Sequence, residues 1–327
     1  MKNIMKDDAL NNAAICPLCS GMVDVVLASE LRRGHGNVKY CEGCQHGFLI
    51  NNQIVDEKAY YAEEYRKEYS HNAEEASTNA REIFDVYKSY QSERLKEVTP
   101  ELGLSKSLLE VGASSGQFLT HVKDLVYKVD AIELDEACCE FLKNELGIAV
   151  DSNFLRESVF ADELYDVVCA FQVLEHVPDP VSFIRDLKQS TKEDGVIFVE
   201  VPNLHDPLLT VWDVDTYKKF FYHSAHLHYF TEHSLRQVAL NAGFGEEQIE
   251  ISFTQDYNVL NHLHWVMNNG PQSNCHVGLS EVSLSGVNEE ISNWLTNKMR
   301  ALNAEYVAKL VSSKCTSNLM MKLHNGK

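Results

Sequence analysis

Between residues 106 and 255 the chain alternates short apolar runs with amphipathic segments. "SLLEVG" reads as a first strand and "QFLTHVKDL" as the helix after it. "KVDAIEL" is a second strand, followed by the helix "EACCEFLKNEL". "GIAVDS" is a short third strand, and "YDVVCAFQVL" a fourth. "PVSFIRDLKQST" is a helix whose proline suits a first turn, and "GVIFVEVP" is a fifth strand. Apolar strands separated by helices imply a parallel sheet covered on both faces. Ligands of such sheets bind beyond the carboxyl ends of the strands. Further on, "GFGEEQIEISF" leads into a sixth strand and "TSNLMMKL" is a last one. Between them, residues 287–311 read as an amphipathic helix with Ile291, Trp294, Leu295, Met299 and Leu302 recurring on one face. That stripe predicts packing against the sheet or against a second copy of the chain, as in a homo-oligomer. "NNGPQSNCHVGLSEVSLSG" has the look of a loop able to cover a substrate.

Ahead of this region the periodicity changes. "DEKAYYAEEYRKEYSHNAEEA" is charged and rich in tyrosine. From about residue 76 a helical pattern places Ile83, Phe84, Tyr87 and Leu95 on one face. Tyr60, Tyr61 and Tyr65 are available to line a cleft, although pinning the linker down is the commoner use of such rings. The N-terminal part carries "CPLC", then 21 residues, then "CEGC". Two C-x-x-C knuckles at this separation suit a structural Zn²⁺ site of four thiolates, Cys16, Cys19, Cys41 and Cys44. Gly43 is expected to give the second knuckle its backbone freedom. The ribbon spans about residues 14–50. The organisation expected is a zinc-ribbon module over 1–55, a linker and helix over 56–105, and a main domain over 106–327 with a helical insertion at about 280–312.

Charge and composition remove several function classes. The net charge is −19, which opposes sequence-independent binding to nucleic acid and to an anionic membrane surface. Residues 1–50 carry five Lys/Arg and five Asp/Glu, so the ribbon has no basic patch. Nine cysteines do not read as a disulfide framework. The N-terminus lacks the apolar core of a secretory signal, and no apolar run reaches the ~18 residues of a membrane span. A cytoplasmic protein is expected.

The candidate chemistry starts at "EVGASSGQF", residues 110–118. A dinucleotide loop needs G-x-G-x-x-G, but Ser114 and Gln117 stand where its second and third glycines belong. Glu110 at the strand end would oppose a pyrophosphate and favour a positive charge. Glu133 ends the second strand, where an acid can accept the hydroxyls of a ribose. A nucleoside with a cationic group and no phosphate fits both acids, and S-adenosylmethionine meets that description. A nicotinamide oxidoreductase is disfavoured by the same three residues.

"LLEVGASSGQFL", "AIELDE", "YDVVCAFQVLEHVPDP" and "GVIFVEVPN" together resemble the successive motifs of class I S-adenosylmethionine-dependent methyltransferases, over roughly residues 106–255. "HLHYFTEHSLRQVALNAGF" resembles a later segment of that family. The cysteine knuckles, "DYNVLNHLHWV" and "NGPQS" are similar to a subgroup concerned with sugars and surface polysaccharides. The resemblance implies an α/β, Rossmann-like, mostly parallel seven-stranded sheet with helices on both faces. It implies that Glu110, Gly112, Ala113, Ser114 and Gly116 wrap the methionine part of the cofactor. Glu133 would hold the ribose, Leu134 would lie against the adenine, and Gln172 would lie near the methionyl group. Asp151, Ser152 or Asn153 would approach the adenine. The acceptor implied is a small molecule, a sugar or nucleotide sugar, with methyl transfer to carbon, oxygen or nitrogen left open.

Histidines cluster in "FFYHSAHLHYF". The sugar C-methyltransferases of that subgroup carry a Tyr-x-Glu-His cluster in this segment. Aligned on the final "YF", this chain keeps His226 but has Ala225 at the glutamate and His223 at the tyrosine. The resemblance therefore implies His226 as the base, with Tyr222 able to substitute for the tyrosine by a small shift. A second metal site on His223, His226 and His228 is disfavoured, because no carboxylate or thiolate joins them locally. His176, after an apolar pair at a strand end, reads as structural. The alternative outside enzymology is a zinc-ribbon interaction protein with an inactive cofactor fold.

Overall fold

The computed structural model describes residues 14–32, 35–50, 57–64, 79–273 and 275–326. Tyr65 and the expected helix start near residue 76 lie outside them. Seven strands form the main sheet: β6 (Ser107–Val111), β7 (Lys128–Ile132), β8 (Ala149–Asp151), β9 (Tyr165–Phe171), β10 (Thr191–Pro202), β12 (Ile249–Thr254) and β13 (Asn318–His324). Their order is β12-β13-β10-β9-β6-β7-β8, with β13 the antiparallel strand between β10 and β12. The chain steps outward from β6 to β7 and β8, then returns to the other side of β6 with β9. The crevice where strand order reverses therefore opens beyond the ends of β6 and β9, where such sheets bind ligands.

The strands are apolar throughout because both faces are covered. On β6, Leu109 and Val111 pack into one core with Val168, Ile197 and Met321. Leu108 packs on the opposite face with Ala131, Val167, Phe198 and Met320. Strand alternation puts Glu110 on the Leu108 side. Helix starts follow local capping: Asp135 accepts from the Cys138 N–H, and Asp179 accepts from the Ser182 N–H ahead of Pro180.

Five smaller strands precede the sheet's first helices: β1 (Ala14–Ile15) and β2 (Met22–Val23) pair as a hairpin, and β3 (Val26–Glu30) and β4 (His35–Cys41) pair beside β5 (His46–Ile50). A strand from the main domain, β11 (His228–Tyr229), completes their sheet by pairing antiparallel with β5. The cysteine module is thus built into the larger unit. The Thr231 hydroxyl donates to the Gln45 carbonyl and the Arg32 N–H to the Tyr222 carbonyl.

Two expectations need correction. The first helix is two helices, Ala80–Tyr87 and Ser92–Val98, with a turn between them; this turn lets the second helix aim Arg94 at the sheet. The late helix exists at Glu289–Ser312, but its apolar stripe does not pack on the sheet. Ile291 and Trp294 are 60% and 59% exposed, and Thr296 and Leu310 are the buried residues of the helix. No helix among the described residues is long and apolar enough to cross a membrane.

At the seam between β5 and β11, His46 Nε2 and His228 Nδ1 lie 3.0 Å apart, with both rings buried. Burial holds both neutral: His46 titrates well below 6.5, and His228 at about 4. In the unfolded chain they protonate near the ordinary histidine value of about 6.5. The unfolded state then binds more protons between about pH 6.5 and 4, so stability is full above that window and falls as pH drops through it. Each such histidine contributes at most ~1.4 kcal/mol per pH unit to the slope. Denaturant unfolding at pH 7 and pH 5 should show this loss, and His228→Phe should reduce it.

Candidate active site

The crevice at the end of β6 is a cavity of about 910 Å³. One side is the loop after β6. Gly112 and Gly116 both have φ of +79°, and Ser114 has φ of +50°. A Cβ at Gly112 would stand 2.4 Å from Val173 Cγ2, and one at Gly116 would stand 2.6–2.7 Å from Leu146 and Leu142. Both positions therefore exclude side chains, yet for different ends. Gly112, Ala113 and Ser114 line the cavity. Gly116 is not among the lining residues and instead seats the helix that ends at Leu146. Ser114 adopts the left-handed turn that a glycine would usually supply.

Glu133 at the end of β7 binds this loop directly. Its Oε2 accepts from the Ser114 N–H at 2.6 Å and its Oε1 from the Asp135 N–H at 2.8 Å. Each oxygen keeps lone-pair capacity, and both Glu133 and Leu134 line the cavity. The expected adenine neighbours are displaced. Asp151 is spent inside its own turn, accepting from the N–H groups of Asn153 and Val159. Phe154 and Leu155 form the wall there.

Glu110 lines the floor, 3% exposed, and its Oε2 has no hydrogen-bond partner among the described residues. Burial pushes its carboxyl up to about 8 against the pull of nearby Arg94. A buried carboxylate without its own counter-charge is a binding site for a cation. Arg94 cannot fully supply that charge, because its Nε donates to Glu200 Oε1 at 3.0 Å. Gln172, held at φ of +57°, donates from Nε2 to Glu200 Oε1 at 3.1 Å and to Asn318 Oδ1 at 3.2 Å. Asp256, beyond β12, completes this polar corner; burial raises it to about 6.

Tyr61 and His176 form the wall opposite the glycine loop, their rings edge-to-face at 5.7 Å. His226 packs edge-to-face behind His176 at 4.8 Å and is not among the lining residues. Tyr222 is not at the cavity at all. It is buried with Leu31, Val38, Leu204 and Tyr229, and burial pushes its hydroxyl up to about 12. Its substitution for the family tyrosine is therefore withdrawn. Sequence reasoning assigned His176 to structure and passed over Glu175, Arg94, Glu200 and Asp256. The acids and Arg94 come from segments far apart in the chain, with no local pattern to join them. "LEHVP" was a signal available for Glu175 and His176.

The four ribbon cysteines meet away from this cavity. Their sulfurs lie within 4.8 Å of one another, and Cys19 Sγ is 3.7 Å from Cys41 Sγ. Four Zn–S bonds of ~2.3 Å in a tetrahedron put sulfurs ~3.8 Å apart, so the set fits. The left-handed turns that shape the knuckles are at Ser20 and Gln45, each following a second cysteine. Gly43, expected to supply that freedom, is not among the positive-φ residues.

The family model described as a methyltransferase domain matches residues 79–248, just over half of the chain. A ubiquinone biosynthesis O-methyltransferase of Pseudomonas paraeruginosa is 31% identical over 117 residues, 34% of this chain and 50% of that protein. One from Glaesserella parasuis is 40% identical over 52 residues, 16% of this chain and 22% of that protein. The chain spans about half the length of the first of these relatives. A solved S-adenosylmethionine-dependent methyltransferase from Archaeoglobus fulgidus is 17% identical, covers 75% of this chain and 97% of its own, and superposes with a TM-score of 0.46, too weak a likeness to carry an argument. With a glycine loop, two strand-end acids and a family match spanning them all, the chain belongs to the methyltransferase-domain family, in its class I S-adenosylmethionine-dependent branch.

Proposed function

We propose that the protein transfers a methyl group from S-adenosylmethionine to a small, polar, hydroxyl-bearing acceptor of the sugar or nucleotide-sugar class. The observation that carries the reading is Glu110, a buried carboxylate beside a glycine loop, one oxygen of which has no hydrogen-bond partner among the described residues. The cofactor supplies an activated methyl, and the chain supplies alignment and exclusion of water. Glu110, Gly112, Ala113 and Ser114 would hold the cationic methionine part, with Gly116 setting the loop from behind. Glu133 and Leu134 would hold the nucleoside, and Gln172 would lie toward the methionyl end. The acceptor would lie over the ends of β9 and β12, where Gln172 and Asp256 line the cavity and offer hydrogen bonds to hydroxyl groups, held from behind by Glu200 and Asn318. Its proton would leave at the group formed by Glu175, His176 and His226. In this reading the ribbon is a structural zinc module over residues 1–55, joined by 56–105 to a catalytic domain over 106–327.

Calorimetric titration with S-adenosylhomocysteine should show one site, and Glu110→Gln should weaken binding by about tenfold or more, in keeping with loss of one charge-assisted contact. Absence of binding to the wild type would defeat the reading. His226→Ala should keep the product's affinity and lower kcat about a hundredfold, the usual scale for acid–base machinery; undiminished turnover would remove His226 from the chemistry. Nucleotide sugars should be methylated in preference to phenols in an acceptor screen, and a phenol preferred over every sugar would reverse the assignment. Cys41→Ser should release the ribbon's zinc and lower Tm, as measured by metal content and thermal melts.

A further inference from the structure

One cluster beside the cavity is incomplete in a way that methyl transfer alone does not account for. Glu175 follows the end of β9 and is fully buried, and neither carboxylate oxygen has a hydrogen-bond partner among the described residues. Its Oε1 lies 3.9 Å from His176 Nε2 and 3.9 Å from His226 Nε2. That separation is too long for a hydrogen bond. Ligand-capable atoms of all three residues lie within 4.8 Å of one another.

The tautomer of His176 sharpens the problem. Its Nδ1 is 2.9 Å from the Ala225 carbonyl oxygen. A carbonyl only accepts, so Nδ1 carries the proton, and in the neutral ring Nε2 presents a lone pair. That lone pair and a carboxylate oxygen then face each other across a buried gap. Two acceptors in such a place repel unless a proton or a metal cation lies between them, and at 3.9 Å the gap is too wide for a shared proton and suits an ion. The bond to Ala225 is also the outer support that metal-ligating histidines ordinarily have, a ring N–H given to a backbone carbonyl. His226 approaches the same oxygen, and its buried Nδ1 has no hydrogen-bond partner among the described residues that would fix the ring in another role. His223 packs on its other side, with ring centroids 3.5 Å apart.

We propose that Glu175, His176 and His226 form a divalent-metal site with two imidazoles and one carboxylate, separate from the cysteine ribbon. Bonds of ~2.0–2.2 Å to one ion, at angles wider than a right angle, separate two ligands by ~3–4 Å, as found here. Imidazole and carboxylate donors suit Zn²⁺, Fe²⁺ or Mn²⁺, and three protein ligands leave positions open. His176 lines the cavity, so an open position lies on the cavity side. The signal for this site was split in the sequence: "LEH" supplies two ligands and His226 comes 50 residues later, which is why a search for ligands among the neighbouring histidines finds no carboxylate.

The role of the ion rests on the methyl-transfer reading. An acceptor hydroxyl bound at the open position would be acidified, its O–H bond breaking and the proton leaving to solvent. The oxygen then forms the new O–C bond, while the C–S bond breaks and its electron pair stays on sulfur as a neutral thioether. No oxidation or reduction is involved.

The test uses the full chain, loaded with Zn²⁺, desalted and assayed for metal content. Wild type should hold about one equivalent more zinc than Glu175→Gln or His226→Gln, with the variants still melting cooperatively and keeping their S-adenosylhomocysteine affinity. Equal zinc in wild type and both folded variants overturns the site. Should the variants fail to fold, Co²⁺ titration of the wild type after metal removal decides. Intense thiolate charge-transfer bands from the ribbon, followed by a second equivalent with weak visible absorption of nitrogen and oxygen ligands, support the site; saturation after the thiolate equivalent overturns it. Neither count needs the cofactor, so failure of the wild type to bind S-adenosylhomocysteine defeats the methyl-transfer reading and leaves the metal result standing by itself.

Discussion

A carboxylate in a protein interior needs a counter-charge, and this molecule gathers carboxylates where its parallel strands end. Glu200 has Arg94, delivered by the helix Ser92–Val98 across the face of the sheet. Among the described residues Glu110 has an oxygen without a hydrogen-bond partner and Glu175 has two. Removing such groups from water is costly unless something positive joins them. The fold accepts that cost at the strand ends next to a cavity of about 910 Å³. Both the proposed cofactor and the proposed ion are cations that would offset it. The glycine loop matters in the same terms. It brings backbone close to the ligand without a phosphate cradle, and Glu133 fixes it by accepting from the Ser114 N–H.

The ribbon serves this arrangement through β11. Pairing β5 with β11 ties the cysteine module to the segment that carries His226 and to the turn that places Ala225 against His176. The buried His46–His228 contact lies at that seam. A structural metal in the ribbon would thus stabilise the strand that orients the second histidine cluster, a link between the cysteine module and the main domain.

Much of the fold was legible because its signals are local. Apolar strands, capped helices and the proline at the start of Pro180–Gln189 follow from short-range rules. The seven-stranded sheet was instead implied by the family resemblance, and so was the set Glu110, Gly112, Ala113, Ser114, Glu133, Leu134 and Gln172, which line one cavity. What was missed depends on distant parts of the chain. Gly116 faces Leu142 and Leu146, which sequence spacing does not reveal. Tyr222 looked available beside His226 but turns into an apolar cluster with Leu31 and Val38 from the ribbon. Glu175 was passed over, because nothing local announces that its oxygens lack partners among the described residues. The stripe on Glu289–Ser312 had helical spacing but does not meet the sheet, and the packing against a second copy that it equally predicted is a separate matter.

The central claim is that Glu110 gives a cation its place in the cavity. Its carboxyl titrates near 8 when the cavity holds no cation, so near pH 7 it is largely protonated, and a bound sulfonium nucleoside should drive the proton off. Calorimetric titration of S-adenosylmethionine at pH 7, in buffers of different ionisation enthalpy, measures that proton directly. The account predicts net release of most of one proton at pH 7, falling steeply toward pH 9 as Glu110 ionises before binding and the free cofactor's α-ammonium loses its own proton. Binding with no proton release at pH 7, or with release that does not change up to pH 9, would contradict it.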